Sequence, residues 1–239
     1  MKVLINKDKN KLVYVKDTSK DFHCEYGYIS SKDLQKNGLV ETNKGVKLYL
    51  IDAEVSDKVN KIKRAPQIIP KKDIGFILAE CGVNNKSIVV EAGSGSGHAT
   101  IQLALHAKKV YSFDIREDHQ KISKRNVDSL DLKNVTFKIY DIYEGIPVKN
   151  VDLLLLDLPS PWEVIKHFDK VKQGGHIVNY SPTIPQVMDF VNQLPEYCYH
   201  VKTIELVQRE WEVKGRKVRP KTFQELGHSG FLSFVRKIH

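Results

Sequence analysis

The chain has 239 residues, 41% hydrophobic and 28% charged, which is enough apolar material for one large domain or a large and a small one and argues against disorder. No apolar run approaches the ~20 residues that cross a bilayer, Met1 to Lys7 is too short for a signal peptide, and Cys24, Cys81 and Cys198 form no CxxC pair, which argues against zinc or a disulfide framework and points to a reducing cytoplasm. The formal charge of +9 suits a polyanionic partner, although solubility alone also accounts for charge of this size.

In chain order, residues 1–69 read as a small β domain. Alternating segments, Lys11–Val15 and Val46–Ile51, are separated by the turn signals Asn37-Gly38 and Asn43-Lys44-Gly45. A helical stretch, Ser56 to Arg64, links it to the second domain, residues 70–239. From Pro70 the pattern becomes alternating helices and strands, the mark of a parallel sheet. A helix over about 72–81 is followed by strands at 87–91, 109–113 and 135–139, with helices at 98–107 and 116–130 between them. The stretch 151–158 is almost wholly apolar, as a central strand covered on both faces should be. A helix over 161–172, the Gly174-Gly175 pair, a strand at 176–180 and a helix at 184–194 follow. Strands at about 199–210 and 230–236 bracket a basic loop and close the chain.

The most informative stretch is Glu91-Ala92-Gly93-Ser94-Gly95-Ser96-Gly97, a glycine-rich turn directly after a buried strand, with Asp114 ending the next strand 17 residues past Gly97. Strand, glycine loop, helix, strand and acid are how a Rossmann-type unit holds a nucleoside: glycines admit close backbone approach and the acid accepts from ribose hydroxyls. The spacing departs from the dinucleotide fingerprint and looks like the first motif of S-adenosylmethionine-dependent methyltransferases. Glu91, Asp114, Asp141 and Asp157 all fall at carboxyl ends of strands, where ligands of open parallel sheets bind. Asp114 is expected at the ribose and Asp141 at the adenine amino group. Prolines in Asp157-Leu158-Pro159-Ser160-Pro161-Trp162 hold the chain extended beyond a buried strand, aiming Asp157 into the cleft. Trp162 serves either to stack a base or to cover the core. Two stretches without acids, 58–72 (Lys58, Lys61, Lys63, Arg64, Lys71, Lys72) and 214–221 (Lys214, Arg216, Lys217, Arg219, Lys221), read as phosphate-binding surface or as solvated loops.

Together Glu91–Gly97, Asp114–Asp118, Asp141–Gly145, Asp157-Leu158-Pro159, Arg64–Ile69, Arg219-Pro220 and Gly227–Phe231 resemble the tRNA (adenine-N1)-methyltransferases that act in the T loop at adenine 58, most nearly the archaeal branch that also methylates adenine 57. The resemblance covers most of the chain, the small β domain included. It implies a seven-stranded Rossmann-like α/β methyltransferase domain, S-adenosyl-L-methionine as cofactor, tRNA as substrate, and a cytoplasmic homotetramer. With the motif reading it assigns Gln67, Glu91, Gly93, Ser94, Gly95, Ser96, Gly97, His98, Asp114, Ile115, Asp141, Ile142 and Asp157 to the cofactor, and Pro159, Trp162, Arg219, His228 and Ser229 to the substrate. Gln67 reaches the methionine end in this reading, or is a surface glutamine; His228 touches the target nucleotide, or is a structural hydrogen-bonder. Three departures stand out. Pro70-Lys71-Lys72-Asp73 replaces the family's Tyr-Pro-Lys-Asp, whose tyrosine lines the target pocket, Asp114 replaces a glutamate, and Ser229 replaces a threonine while keeping the hydroxyl.

The expected mechanism needs no general base, because adenine N1 carries an in-plane lone pair. Orientation and stabilisation of the developing ring charge by Asp157 carry it, with the base turned out of its stack. Two rivals remain at this stage: a methyltransferase of the same fold acting on a protein or small molecule, and a non-catalytic tRNA-binding subunit. The intact glycine loop and Asp157 argue against the second.

Overall fold

The computed structural model describes residues 1–62, 68–221 and 228–239. The chain divides into two compact units, Met1–Ile62 and Lys63–His239, so the division falls ahead of the expected boundary at residue 69.

The first unit contains β1 (Lys2–Asn6), β2 (Lys11–Val15), β3 (Phe22–Cys24), β4 (Gly27–Ile29), β5 (Gly38–Glu41), β6 (Lys47–Asp52) and a short helix α1 (Val55–Asn60). Four strands form an antiparallel sheet in the order β2-β1-β6-β5, and β3 and β4 make a separate hairpin. The alternation in the sequence sets which face is buried: Leu48 and Leu50 of β6 join Leu4, Val15 and Leu34 in one core while Lys47 and Tyr49 point outward. The helix ends at Asn60, short of the expected 56–64, of which residues 63 and 64 lie outside the described residues. Its start is fixed by Asp57, whose carboxylate accepts the Glu54 N–H at 3.1 Å.

The second unit follows the expected alternation: α2 (Lys71–Glu80), β7 (Ile88–Ala92), α3 (His98–His106), β8 (Lys109–Asp114), α4 (Glu117–Asp128), β9 (Val135–Ile139), β10 (Val151–Leu156), β11 (Val171–Ser181), α5 (Ile184–Asn192), β12 (Cys198–Glu205), β13 (Trp211–Lys214), β14 (Lys217–Pro220) and β15 (Phe231–Lys237). Seven strands form one sheet, β12-β15-β11-β10-β7-β8-β9, in which β15 runs antiparallel to both neighbours and the pairs β11–β10, β10–β7, β7–β8 and β8–β9 are parallel. The apolar run of β10 feeds both layers. Leu153 and Leu155 pack with Ile77, Leu103 and Phe234 on one face, and Leu154 and Leu156 with Phe168, Ile177 and Phe190 on the other. Burial on both faces explains why this strand reads as continuous rather than alternating hydrophobicity.

Three local expectations need correction. The segment read as a helix over 161–172 is a succession of 3-10 turns over Pro161–Lys170. The strand after it begins at Val171 rather than 176, with a register shift against β10 across the Gly174-Gly175 pair. The strand expected over 199–210 ends at Glu205, and much of the basic stretch is not a loop but the β13–β14 hairpin, paired Trp211 with Pro220 through Lys214 with Lys217.

Candidate active site

The chain leaves β7 for β8 on one side and later returns through β10 on the other, so the order of the sheet reverses between β7 and β10. That switch point is where an open α/β sheet offers a ligand crevice. The glycine loop fills it for steric reasons. Gly93 has φ +97°, and a Cβ there would stand 2.3 Å from the backbone oxygen of Asp157; Gly97 has φ +78°, and its Cβ would meet Ser123 Oγ at 2.4 Å. Gly95 differs: a Cβ at this position would find no atom within 4 Å, so its open side is the crevice itself.

A cavity of about 290 Å³ lies against this loop, lined by Gly93, Gly95, Asp114, Ile115, Asp141, Ile142, Asp157 and Pro159 of the expected residues. Asp114 is oriented by backbone: Oδ2 accepts the Gly95 N–H at 3.1 Å and Oδ1 the Arg116 N–H at 2.9 Å. Asp141 Oδ1 accepts the Tyr143 N–H at 3.0 Å. Between these acids the wall is aromatic, with Phe113, Tyr140 and Tyr143. Acids that orient hydroxyls, a flat apolar wall and a loop without side chains suit a nucleoside.

Five of the expected cofactor residues stand outside the lining of this cavity. Glu91 is buried beneath the loop, where its Oε2 accepts from Thr100 Oγ1 and Ser112 Oγ, both at 2.6 Å, and its Oε1 is buried without a hydrogen-bond partner. Ser94 bonds Ser112 at 2.7 Å. Ser96 and Gly97 turn the chain into α3, whose first residue, His98, donates through Nδ1 to the Ile69 carbonyl at 3.1 Å. These residues shape the loop from behind. Gln67 lies outside the described residues.

The electrostatics are unusual for carboxylates. Burial, with the charge of Asp114 nearby, pushes Asp157 up to about 7, although part of the side chain still faces the cavity. Burial likewise raises Glu91 to about 7 against the opposing hydrogen bonds from Ser112 and Thr100. Negative charge is therefore costly here until a cation enters.

The expected substrate residues fall in three places. Pro159 lines the main cavity. Trp162 packs on the core with Ile165 and Phe168 and borders a different groove with Tyr197 and Lys166, so of its two readings the placement matches core cover. Arg219 is on the hairpin, its Nε donating to Glu212 across the strands at 2.8 Å. His228 and Ser229 are next to each other but differently engaged. His228 presents one ring nitrogen to Glu205 Oε1 at 2.5 Å and the other to the Pro182 carbonyl at 2.8 Å, two acceptors that favour the protonated ring and raise its pKa. Ser229 Oγ accepts from Lys72 Nζ at 2.5 Å and donates to the buried Asp73 at 2.8 Å.

Sequence reasoning missed Tyr140, Tyr143 and His119 on the cavity wall, and Tyr180, whose hydroxyl donates to the Ser229 carbonyl. Burial and the nearby Asp73 push that phenol up to about 12. The available signal was position, since Tyr140 and Tyr143 flank the expected Asp141-Ile142 pair.

Comparison with known proteins agrees with this geometry. A family model described as "tRNA methyltransferase complex GCD14 subunit" matches residues 58–228. A tRNA (adenine(57)-N(1)/adenine(58)-N(1))-methyltransferase TrmI of Methanocaldococcus jannaschii is 32% identical over 98% of this chain and 94% of its own length. The tRNA (adenine(58)-N(1))-methyltransferase TrmI of Thermus thermophilus is 28% identical over 90% and 88% respectively. Among solved structures, a SAM-dependent O-methyltransferase of Thermotoga maritima superposes with TM-score 0.89 at 28% identity, covering 100% of this chain and 92% of that one. The tRNA (m1A58) methyltransferase TrmI of Aquifex aeolicus superposes with TM-score 0.85 at 21% identity, over 100% and 96%, and shares the fold. With more than half of its length matched by the family model, the chain belongs to the tRNA methyltransferase complex GCD14 subunit family.

Proposed function

We propose that this chain transfers a methyl group from S-adenosyl-L-methionine to N1 of adenine in the T loop of tRNA, at position 58 and, as in the archaeal relative's name, at 57. The observation that carries the reading is the placement of Asp157: it lines the same cavity as Asp114 and Asp141 and packs its own backbone on the glycine loop. When bound, the cofactor supplies an electrophilic methyl group on a cationic sulfonium. Asp114 holds the ribose hydroxyls, Asp141 the adenine edge, and the backbone of Gly93 and Gly95 admits the chain between them. Asp157 accepts from the amine of the target adenine and stabilises the positive charge that develops on its ring. The carboxyl must be ionised to do so; its pKa of about 7 is that of the free enzyme, so kcat/KM for the cofactor falls as pH drops below about 7, while the sulfonium of the bound cofactor lowers that pKa and holds kcat to lower pH.

The tRNA is gripped through phosphates by the basic residues of the hairpin, and the net charge of +9 supports that role. The enzyme works in the cytoplasm as a homo-oligomer, a tetramer as the family resemblance implies. In support, Trp211, Val213 and Val218 are exposed on the hairpin. The name of the Thermotoga structure favours a second reading, methyl transfer to an oxygen of another substrate. One assay separates the two: labelled S-adenosylmethionine with an unmodified tRNA transcript, followed by digestion and nucleoside mass spectrometry. A T-loop 1-methyladenosine is expected; tRNA that stays unlabelled while cofactor binds would transfer the reading to a different substrate.

A further inference from the structure

Tyr143 joins the cofactor cavity to the loop that carries Asp157. It lines the cavity beside Asp141 and Ile142. Its N–H donates to Asp141 at 3.0 Å, so the orientation of that acid depends on where Tyr143 stands. Its hydroxyl oxygen accepts the Ser160 N–H at 3.2 Å, three residues beyond Asp157. Its carbonyl accepts from His167 Nε2 at 2.9 Å, in the 3-10 segment into which the same loop runs. One residue thus ties the cavity wall to the Asp157 loop at two points. Pro159 and Pro161 flank Ser160 and fix their own φ angles, so this stretch has few soft torsions and a shift at Ser160 is passed along the chain rather than absorbed. Elsewhere the loop is braced by Gln186 Nε2 on the Pro159 carbonyl at 3.1 Å, an exposed contact from α5, which itself does not line the cavity.

We propose that Tyr143 is a positioning residue that couples the two binding events: filling the nucleoside cavity fixes Tyr143, and through Ser160 this fixes the Asp157 loop for the target adenine. The inference rests on the functional reading above. Coupling of this kind is reciprocal, so it is read as the change in tRNA affinity on adding the demethylated cofactor.

The test compares wild type with Tyr143→Phe, which keeps the aromatic wall and removes only the hydroxyl. The dissociation constant for tRNA transcript is measured with and without saturating S-adenosylhomocysteine, beside the thermal midpoint of each protein. In wild type the cofactor is expected to tighten tRNA binding about fivefold or more, the lower end of ordinary coupling, and in Tyr143→Phe by less than about twofold. A melting midpoint within a few degrees of wild type separates lost coupling from lost folding. His167→Ala, which cuts the second tie and leaves the phenol in place, is expected to reduce the coupling as well. Equal tightening in wild type and both variants, or no tightening in wild type, overturns the inference. Wild-type protein that leaves tRNA unmethylated overturns the functional reading and the inference together; methylated tRNA with unchanged coupling overturns the inference alone.

Discussion

The carboxyl edge of the parallel sheet and the β13–β14 hairpin carry opposite charge by opposite means. At the sheet edge a few acids are enclosed, two of them pushed up to about 7 by burial, and each is oriented by a specific bond or wall. On the hairpin Lys214, Arg216, Lys217 and Arg219 are exposed, and the ion pair of Arg219 with Glu212 is itself solvent-facing. Enclosed charge acts residue by residue, because desolvation makes each interaction strong. Exposed charge acts as a sum, weakened by salt. Substitutions in the two regions should therefore differ in size and in kind.

The largest effect is expected at Asp157. Asp157→Ala should lower kcat about 10²- to 10³-fold, the cost of losing one preorganised electrostatic partner, while tRNA binding stays within about twofold. Turnover that survives within tenfold, at intact binding, would remove Asp157 from the chemistry.

Glycine substitutions set the two regions side by side. Gly93→Ala combines φ +97° with a Cβ 2.3 Å from the Asp157 carbonyl oxygen, whereas Gly215→Ala in the hairpin turn has φ +59° and open space around it. The first is expected to destabilise by about 2–3 kcal/mol and abolish cofactor binding, the second to cost about 1 kcal/mol. Chemical denaturation measures both, and equal costs would mean that the loop can yield.

A pH series sharpens the contrast. A carboxyl raised by burial contributes stability that is full below its ordinary range near 4.5 and lost as pH rises through about 7. Glu91→Gln removes that ionisation and keeps an acceptor for Thr100 and Ser112. Its melting midpoint should exceed that of wild type by several degrees at pH 8, with the difference closing towards pH 5, for a free-energy gain on the order of 2–3 kcal/mol. A pH-independent difference would show that the gain comes from packing.

The smallest effects belong to the hairpin. Arg216→Ala and Lys217→Ala should each weaken tRNA binding about two- to fivefold, leave kcat alone, and reduce the slope of log affinity against log salt by about one. An unaltered salt slope would place the RNA elsewhere.

Much of this architecture was legible in the sequence for physical reasons. The central sheet was readable because β10 is buried on both faces and writes itself as an apolar run, and because Gly93 and Gly97 admit no side chain. The acids at strand ends were readable because the topology fixes where ligands enter. What was not legible depends on long-range closure. Nothing local distinguishes the 3-10 turns over Pro161–Lys170 from an α-helix of the same amphipathic pattern. The hairpin was hidden because its strands are only four residues each: Trp211, Val213 and Val218 alternate with charged residues, but the run is short and its basic residues read equally well as a solvated loop. Tyr143 was missed because its role lies in a bond to Ser160, 17 positions away.

The contact between Gly93 and the carbonyl of Asp157 has a consequence for engineering. A side chain at residue 93 would run into the Asp157 carbonyl oxygen, so the glycine loop and the strand end that carries Asp157 are packed backbone against backbone, and both line the same cavity. Moving the glycine loop to admit a larger donor therefore moves the backbone of Asp157 with it, so under the function proposed above donor and acceptor specificity are expected to change together. Selection for a new donor should be accompanied by compensating changes in the Leu158–Ser160 segment.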